Sequence, residues 1–367
     1  MSQKVGTPDK IFIGIVGTLV VLGLFIFFSA SLSVLAQDDG KFYRMLFNQL
    51  GLGLVGGAVC FYGASQLDYR FWKKHALVIF IFSTLSLLLV FVPGLGFEHG
   101  GAKRWLDLGP ISFQPAELVK LGFVIYAAAW FSWIGEKVKL FSWGVVALAI
   151  MLGVVGGILL MQPDTGTLLV MMMAGGVIYL VAGAPWKHIG LLILVTLIGL
   201  GALVAARPYL IDRVTTFMNP GDDPHGSSYQ VQQSLIAIGS GQMFGRGYGQ
   251  SVQKFNYLPE AVGDSVFAVY GEEMGFFGAV ILLLLYLAFA LRGFWIAVRT
   301  KTNFGQYLAI GITVLITGQS LLNIASSLSL FPLTGEPLIF ISQGGTALLF
   351  ALLEVGIIVN ISKHRRI

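Results

Sequence analysis

Ten apolar stretches, each near the length of a membrane-crossing helix, dominate this chain of 367 residues. An α-helix needs about 20 mostly apolar residues to cross the hydrocarbon core of a bilayer. Charged residues make up 11% of the chain, whereas a soluble domain carries about 25%. We therefore predict an all-α integral membrane protein with one polytopic domain over residues 1–367. The predicted spans are 11–36, 46–66, 76–92, 116–135, 144–162, 167–184, 189–206, 265–291, 306–323 and 341–361.

The lysines and arginines predict the orientation of these spans. Cytoplasmic loops carry an excess of basic residues, and the side that holds both termini collects 14 of the 23, against 8 on the other side. We therefore place both termini in the cytoplasm. The two longest connections, residues 93–115 and 207–264, then lie outside the membrane on the far side, the second between spans seven and eight.

Composition excludes several classes of function. The net charge of +5 is scattered through short loops, without the basic stripe of a nucleic-acid-binding protein. One cysteine, Cys60, excludes an internal disulfide. The five histidines lack metal-ligand spacing to each other or to Cys60, which argues against a His/Cys metal site.

The segment FQPAELVKL, residues 113–121, places charges at a helix start. Pro115 suits the first turn of a helix, and Glu117 there complements the helix dipole. Lys120 follows three residues later on the same face, so the two side chains can pair. One interpretation is a local ion pair. The other is a cation just under the outer surface that meets an anionic lipid or a pyrophosphate.

Two further segments contain residues that end or interrupt helices. In QPDTGT, residues 162–167, Asp164 or Thr165 can cap the sixth span. In PLTGEPLIFISQGGTALL, residues 332–349, prolines and glycines break the helical period. Non-helical backbone at membrane depth must be lined by protein or water, so we expect a re-entrant segment here.

The segment YLPEAVGDSVFAVYGEEMG, residues 257–275, carries the strongest site candidate. Asp264 stands where a polar loop becomes an apolar helix, and it is either the N-cap of that helix or a catalytic base that faces a cleft. Glu272 and Glu273 lie deeper in the same span. Both should face protein or water rather than lipid, and we expect them to secure helix packing.

Together these segments resemble the SEDS family, the FtsW/RodA group of cell-wall glycosyltransferases, and stretch 251–261 looks closer to FtsW than to RodA. Two departures concern the surroundings of Asp264: Val262-Gly263 and Ser265 replace the usual His-Thr and aromatic residue, and SQGGTA replaces a YGGSS-like motif. The carriers of the resemblance are RWLDLGPISFQPAELVKL (104–121), QPDTGT (162–167), QQSLIAIGSG (232–241), GRGYGQSVQKFNYLPEAVGDSVFAVYGEEMG (245–275) and PLIFISQGGTALL (337–349).

The resemblance implies polymerisation of lipid II at the outer face of the bacterial cytoplasmic membrane, in division or elongation. The family's essential aspartate maps onto Asp264 and its intramembrane basic residue onto Lys120. Asp264 would act as general base on an acceptor hydroxyl, in a single inverting displacement that releases undecaprenyl pyrophosphate.

The departing pyrophosphate needs cations or a metal. The candidates are Lys120, Arg104 and Arg246, and we count Glu117 and Gln114 with them as substrate-binding residues. No metal ligands are assigned, although a divalent cation, Mg²⁺ or Mn²⁺, is an open alternative. The resemblance also implies a class B penicillin-binding protein, a transpeptidase, as partner, in addition to the membrane lipids.

Two other functions compete with this one. A lipid-precursor flippase or transporter should place ionisable residues near the membrane midplane, often in inverted repeats, whereas the candidates here cluster at one interface. A non-enzymatic scaffold of the cell-wall synthesis complex predicts that Asp264 is dispensable.

Overall fold

The computed structural model describes residues 6–99, 102–109, 111–218 and 227–365 as a bundle of apolar helices. Within these ranges, eight helices are long and apolar enough to cross a membrane, and two shorter apolar segments, Ala76–Phe91 and Thr165–Val181, occupy the third and sixth predicted spans. The helices are α1 Lys10–Leu35, α2 Asp39–Phe47, α3 Gly57–Gln66, α4 Arg70–Lys74, α5 Ala76–Ser86, α6 Pro115–Ile134, α7 Ala147–Met161, α8 Thr165–Val181, α9 Trp186–Ala206, α10 Pro208–Met218, α11 Ser227–Ser240, α12 Val266–Val298, α13 Asn303–Ser327 and α14 Gly345–Ser362. The π-helical segment Asn48–Gly56 joins α2 and α3 into one span, and the π-helical segment Ser142–Val146 extends α7 to the length of another.

Helices α13 and α14 form the centre of the bundle. In the most apolar 18-residue stretch of each helix, 83% of the residues of α13 and 89% of those of α14 are buried. They pack against α3, α6, α8 and α12. Helix α9 is the opposite case, because none of its residues is buried. Polar side chains on α13 and α14 therefore point into protein, where each needs a partner.

The first predicted outer loop contains a small antiparallel sheet, to which the sequence analysis assigned no structure. Its strands are β1 Gly96–His99, β2 Ala102–Leu108 and β3 Ile111–Phe113, in the order β1-β2-β3. The Arg44 guanidinium of α2 lies 3.0 Å from the Asp107 carboxylate of β2 and ties the sheet to the bundle. The sheet matters for the site because β2 carries Arg104.

Helix α12 is broken at Gly275, whose φ is +64°. The glycine-rich segment after α11 fills the break: the backbone N–H of Phe276 donates to the Gln242 carbonyl at 2.8 Å, and that of Arg246 donates to the Glu272 carbonyl at 3.0 Å. A break in a membrane helix frees backbone groups that must find partners. This segment supplies them, so part of the predicted 207–264 loop packs against the helix. Residues 232–238 of that loop lie within α11.

The chain between α13 and α14 is non-helical and enclosed by protein, which confirms the expected interruption. The predicted start of the tenth span at residue 341 was wrong, because α14 begins only at Gly345. The Gln343 N–H donates to the Val262 carbonyl at 2.8 Å, and the Gly344 N–H donates to the Gln49 side chain at 2.9 Å. These partners replace the helical hydrogen bonds that residues 341–344 would otherwise make.

The two ends of the described chain lie on the same side of the bundle. The Gly6 N–H donates to the Lys363 carbonyl at 2.9 Å, and Thr300 forms an isolated β-bridge with Arg365. This placement agrees with the even number of spans predicted from the sequence.

Candidate active site

The start of α6 carries a buried ion pair, as the spacing predicted. The Lys120 ammonium lies 2.9 Å from the Glu117 carboxylate, and both residues are buried. The Lys120 ammonium also donates to the Gln319 side chain of α13 at 2.5 Å. The backbone N–H of Gln114, the N-cap residue of α6, donates to the Thr346 hydroxyl at 3.4 Å. Lys120 is therefore enclosed by partners and does not lie at an open surface.

Glu336, which the sequence analysis did not single out, lies beside this pair. Its carboxylate is 3.9 Å from the Lys120 ammonium and is buried. Its other oxygen lies 2.9 Å from the Thr167 hydroxyl, which also lies 3.0 Å from the Asp164 carboxylate. One hydroxyl has a single proton to donate, so Asp164 and Glu336 share this donor. Asp164 caps α8 through the Thr167 N–H, as one interpretation predicted.

A fourth carboxyl, that of Glu354, enters the same interior from the middle of α14. Glu354, Glu117, Lys120 and Gln319 line one small cavity. The signal for Glu354 was present in the sequence, because it is an acidic residue inside an apolar span, like Glu272 and Glu273. Glu336 gave a weaker signal, since it lies in a loop whose burial depends on the tertiary fold.

Asp264 and Arg104 converge on Gly335. The φ of Gly335 is +74°, and a methyl group built on it would lie 3.6 Å from Arg104 Nη1 and 3.6 Å from Asp264 Oδ2. Two other guanidinium nitrogens of Arg104 donate to the carbonyls of Gln162, at 3.3 Å, and Pro163. The carboxylate and the guanidinium therefore face a common point from different elements, and both residues are half-buried.

The helix start at Asp264 differs from the N-cap interpretation by one residue. Helix α12 begins at Val266, and its N-cap residue is Ser265, whose side chain makes no capping hydrogen bond among the described residues. The carbonyls of Val262 and Gly263 accept hydrogen bonds at 2.8 Å from the Gln343 N–H and the Ser342 hydroxyl. The chain that leads into Asp264 is thus fixed through its backbone.

Asn323 of α13 joins the Asp264 region to the buried carboxylates. Its side-chain amide donates to the Asp264 carbonyl at 2.9 Å and to the Glu336 carbonyl at 2.8 Å. A single amide thus bridges the backbone carbonyls of Asp264 and Glu336. Asn323 therefore links the backbone at Glu336 to the backbone at Asp264.

Arg246, the third cation candidate, belongs to a different cluster. Its guanidinium lies 3.5 Å from the Glu272 carboxylate, and its side chain is 43% exposed. Glu272 also accepts the Ser251 hydroxyl at 2.6 Å and the Val252 N–H at 3.1 Å. The Glu272 side chain is fully buried. The sequence prediction that it faces protein and secures packing is confirmed.

Lys254 completes this second cluster. Its burial was not predicted, because the sequence places it in the predicted outer loop 207–264. It is buried, and its ammonium lies 2.8 Å from the Glu273 carboxylate and donates to the Ser29 hydroxyl at 3.0 Å. The Ser29 hydroxyl in turn lies 2.6 Å from Glu273. These contacts bind the segment after α11 to α1 and α12.

Comparisons with known proteins show the family to which the chain belongs. The sequence profile of the FtsW/RodA/SpoVE cell cycle proteins matches residues 9–367. The chain belongs to this family. It is 36% identical to stage V sporulation protein E of Bacillus subtilis (strain 168), over 100% of both chains. It is also 36% identical to a probable peptidoglycan glycosyltransferase FtsW of Geobacter sp. (strain M18), over 99% of both.

Solved structures of similar fold extend over the same length. The rod shape determining protein RodA of Thermus thermophilus superimposes with a TM-score of 0.70 and 29% identity, over 98% of this chain and 97% of that one. A chain of a peptidoglycan synthase complex that coordinates polymerization and crosslinking gives a TM-score of 0.78 at 29% identity, over 97% of both. As a member of the FtsW/RodA/SpoVE family, the protein is a multi-pass protein of the cytoplasmic membrane.

Proposed function

We propose that this chain is a peptidoglycan glycosyltransferase that polymerises lipid II into glycan strands, with Asp264 as general base. The observation that carries the proposal is the convergence of Asp264 Oδ2 and Arg104 Nη1 on Gly335. Family members similar over their full length carry the glycosyltransferase name, which supports the reaction class. A base within reach of the proton that it removes typically contributes about 10²–10⁴-fold.

In this reaction, a sugar hydroxyl of the acceptor attacks the anomeric carbon of the growing glycan. The O–H proton passes to the Asp264 carboxylate as the new C–O bond forms. The bond to the pyrophosphate breaks, and its electron pair leaves with undecaprenyl pyrophosphate. One displacement inverts the anomeric centre.

Arg104 is the cation best placed for the developing negative charge, since β2 brings it to the same point as Asp264. Arg246 pairs with Glu272 instead. Lys120 is buried between Glu117 and Gln319, and we infer that it acts on Asp264 indirectly. That path runs from Lys120 to the Glu336 carboxylate, and from the Glu336 carbonyl through the Asn323 amide to the Asp264 carbonyl.

A divalent cation, Mg²⁺ or Mn²⁺, remains an alternative source of positive charge for the pyrophosphate. In the part of the chain that the structure describes, no three histidine, cysteine or acidic side chains are grouped as a metal site would require. The proposal therefore includes no step through a metal.

The partner that we expect is a class B penicillin-binding protein. A solved relative belongs to a peptidoglycan synthase complex that performs both polymerization and crosslinking. A polymerase that lacks crosslinking chemistry of its own would gain from such a neighbour, because the glycan strand then reaches the transpeptidase as it emerges.

The test is polymerisation of lipid II by the purified protein, with and without its transpeptidase. We expect Asp264→Asn to abolish glycan product while it leaves the fold intact. Asp212→Asn, in α10 of the same predicted outer region, removes an exposed carboxylate and should leave product unchanged. Equal product from Asp264→Asn and wild type would remove Asp264 from catalysis.

One observation bears on the transporter alternative: Glu354 lies midway along α14, where a coupling residue would be expected. A transporter that used Glu354 would lose transport of lipid II across proteoliposomes in the Glu354→Gln variant. A glycosyltransferase centred on Asp264 should instead retain most of its polymerisation in that variant.

A further inference from the structure

A cluster of arginines surrounds one tryptophan at the end of the bundle that holds both termini. The guanidinium carbons of Arg292, Arg299 and Arg365 lie 3.9, 4.1 and 5.3 Å from the centre of the Trp295 ring. Three guanidinium groups around one indole concentrate positive charge on a flat aromatic surface. Neither the membrane topology nor the proposed catalysis at the opposite end of α12 requires this grouping.

The cluster has more positive than negative charge. Asp9, the N-cap residue of α1, accepts hydrogen bonds from Arg292 at 2.7 and 3.0 Å and from Arg365 at 2.7 Å. One carboxylate thus serves two guanidinium groups. Arg299 is exposed, and no carboxylate within the described ranges forms an ion pair with it. The unbalanced charge therefore resides mainly at Arg299, beside the half-buried Trp295.

The cluster borders the surface of α12 that faces lipid. Leu287, Leu291 and Val298 are 52%, 60% and 71% exposed, and at 100° per residue they lie within about 40° of one another around the helix. Trp295 and Arg299 lie about 80° and 120° from Leu287 on that wheel. Arg299 therefore directly follows Val298 at the end of this exposed apolar surface, and Arg292 lies about 140° from Leu287 on the same wheel.

We propose that Trp295, Arg292 and Arg299 bind the phosphate of an anionic phospholipid in the leaflet on the side of the termini. Guanidinium groups match the geometry of phosphate oxygens and form charge-assisted hydrogen bonds with them. Tryptophan favours the headgroup region because its ring is apolar and its N–H is polar. The acyl chains of the lipid then lie along Leu287, Leu291 and Val298. This site is independent of the proposed polymerase activity.

Binding is measured by native mass spectrometry of the full-length protein, titrated with dioleoylphosphatidylglycerol or dioleoylphosphatidylcholine. We expect a preference for phosphatidylglycerol that Arg299→Gln reduces about fivefold, the contribution of one basic residue at a membrane surface. Arg299 makes no contact with Asp9, so this variant leaves the Asp9 ion pairs intact. Arg299→Lys keeps the charge without the planar stacking on Trp295 and should retain part of the preference.

The matched control is Lys301→Gln. Lys301 is exposed and lies two residues after Arg299, so this variant removes an equal charge nearby. It should leave the preference for phosphatidylglycerol unchanged. An equal loss in Lys301→Gln and Arg299→Gln would overturn the site, because binding would then follow net charge alone. Equal affinity of the protein for inorganic phosphate and for phosphatidylglycerol would also overturn it, since the acyl chains would then contribute nothing.

Discussion

Replacement of Lys254 by methionine tests whether the second buried cluster holds the chain that leads to Asp264. Methionine keeps most of the side-chain volume and removes the ammonium. The Glu273 carboxylate then retains the Ser29 hydroxyl at 2.6 Å and the Ser251 N–H at 3.3 Å, but it loses the cation at 2.8 Å. Removal of one partner from a buried ion pair costs about 3–5 kcal/mol. The free energy of unfolding should fall by that amount.

The assay is unfolding of the purified protein in detergent, combined with hydrogen exchange. Protection from hydrogen exchange should be lost first in residues 249–254, because the contacts of this segment with α1 and α12 depend on Glu272 and Glu273. The amides of Val252 and Gln253, which donate to Glu272 at 3.1 and 3.2 Å, report this local opening. The peptide that contains them should exchange faster in Lys254→Met than in wild type.

The control is Lys41→Met. The Lys41 side chain is 80% exposed, and its ammonium lies 3.7 Å from the Asp38 carboxylate. Exposed pairs contribute about 0–1 kcal/mol, so this variant should unfold almost like wild type. The double variant Lys254→Met/Glu273→Met should lose less stability than Lys254→Met alone, because no buried charge is left without a partner. A loss below about 1 kcal/mol in Lys254→Met would refute the reasoning.

Three further predictions concern other parts of the bundle. Gly245→Ala places a Cβ 2.1 Å from the Glu273 carbonyl oxygen at a residue whose φ is +79°. A thermal melt should therefore show a loss of stability greater than the roughly 1–2 kcal/mol that a left-handed backbone conformation alone costs a residue with a Cβ. Glu354→Leu replaces a buried carboxyl with an apolar group of similar volume, so the same melt should show equal or higher stability. Burial alone would raise the pKa of Asp9, but hydrogen bonds from Arg292, the α1 backbone and Arg365 lower it from its usual 3.8. A carboxylate whose pKa is lowered in the folded state stabilises the fold above pH 3.8, and this stabilisation is lost as the pH falls through the pKa of the folded state. In pH-dependent unfolding, Asp9→Asn should therefore be less stable than wild type at pH 7. Its stability should approach that of wild type at pH 3.

The sequence alone determined the features that depend on local spacing. Apolar length predicted ten helical segments, because the bilayer sets the length of a spanning helix independently of its neighbours. The pair Glu117 and Lys120 followed from a three-residue separation on one helix. The sequence offered Asp164 or Thr165 as the cap of the sixth span, and the structure shows that Asp164 caps α8. The family resemblance identified Asp264 before any contact was known.

Which distant residues share an interior depends on the tertiary fold. Lys254 and Glu336 lie in segments that a hydropathy pattern assigns to loops, and their burial results from helix breaks at Gly275 and before Gly345. The approach of Arg104 to Asp264 depends on a sheet, a re-entrant segment and a helix start that are far apart in sequence. The physical reason is that charges inside a bundle must be neutralised by partners brought from other helices, and no local pattern encodes which ones.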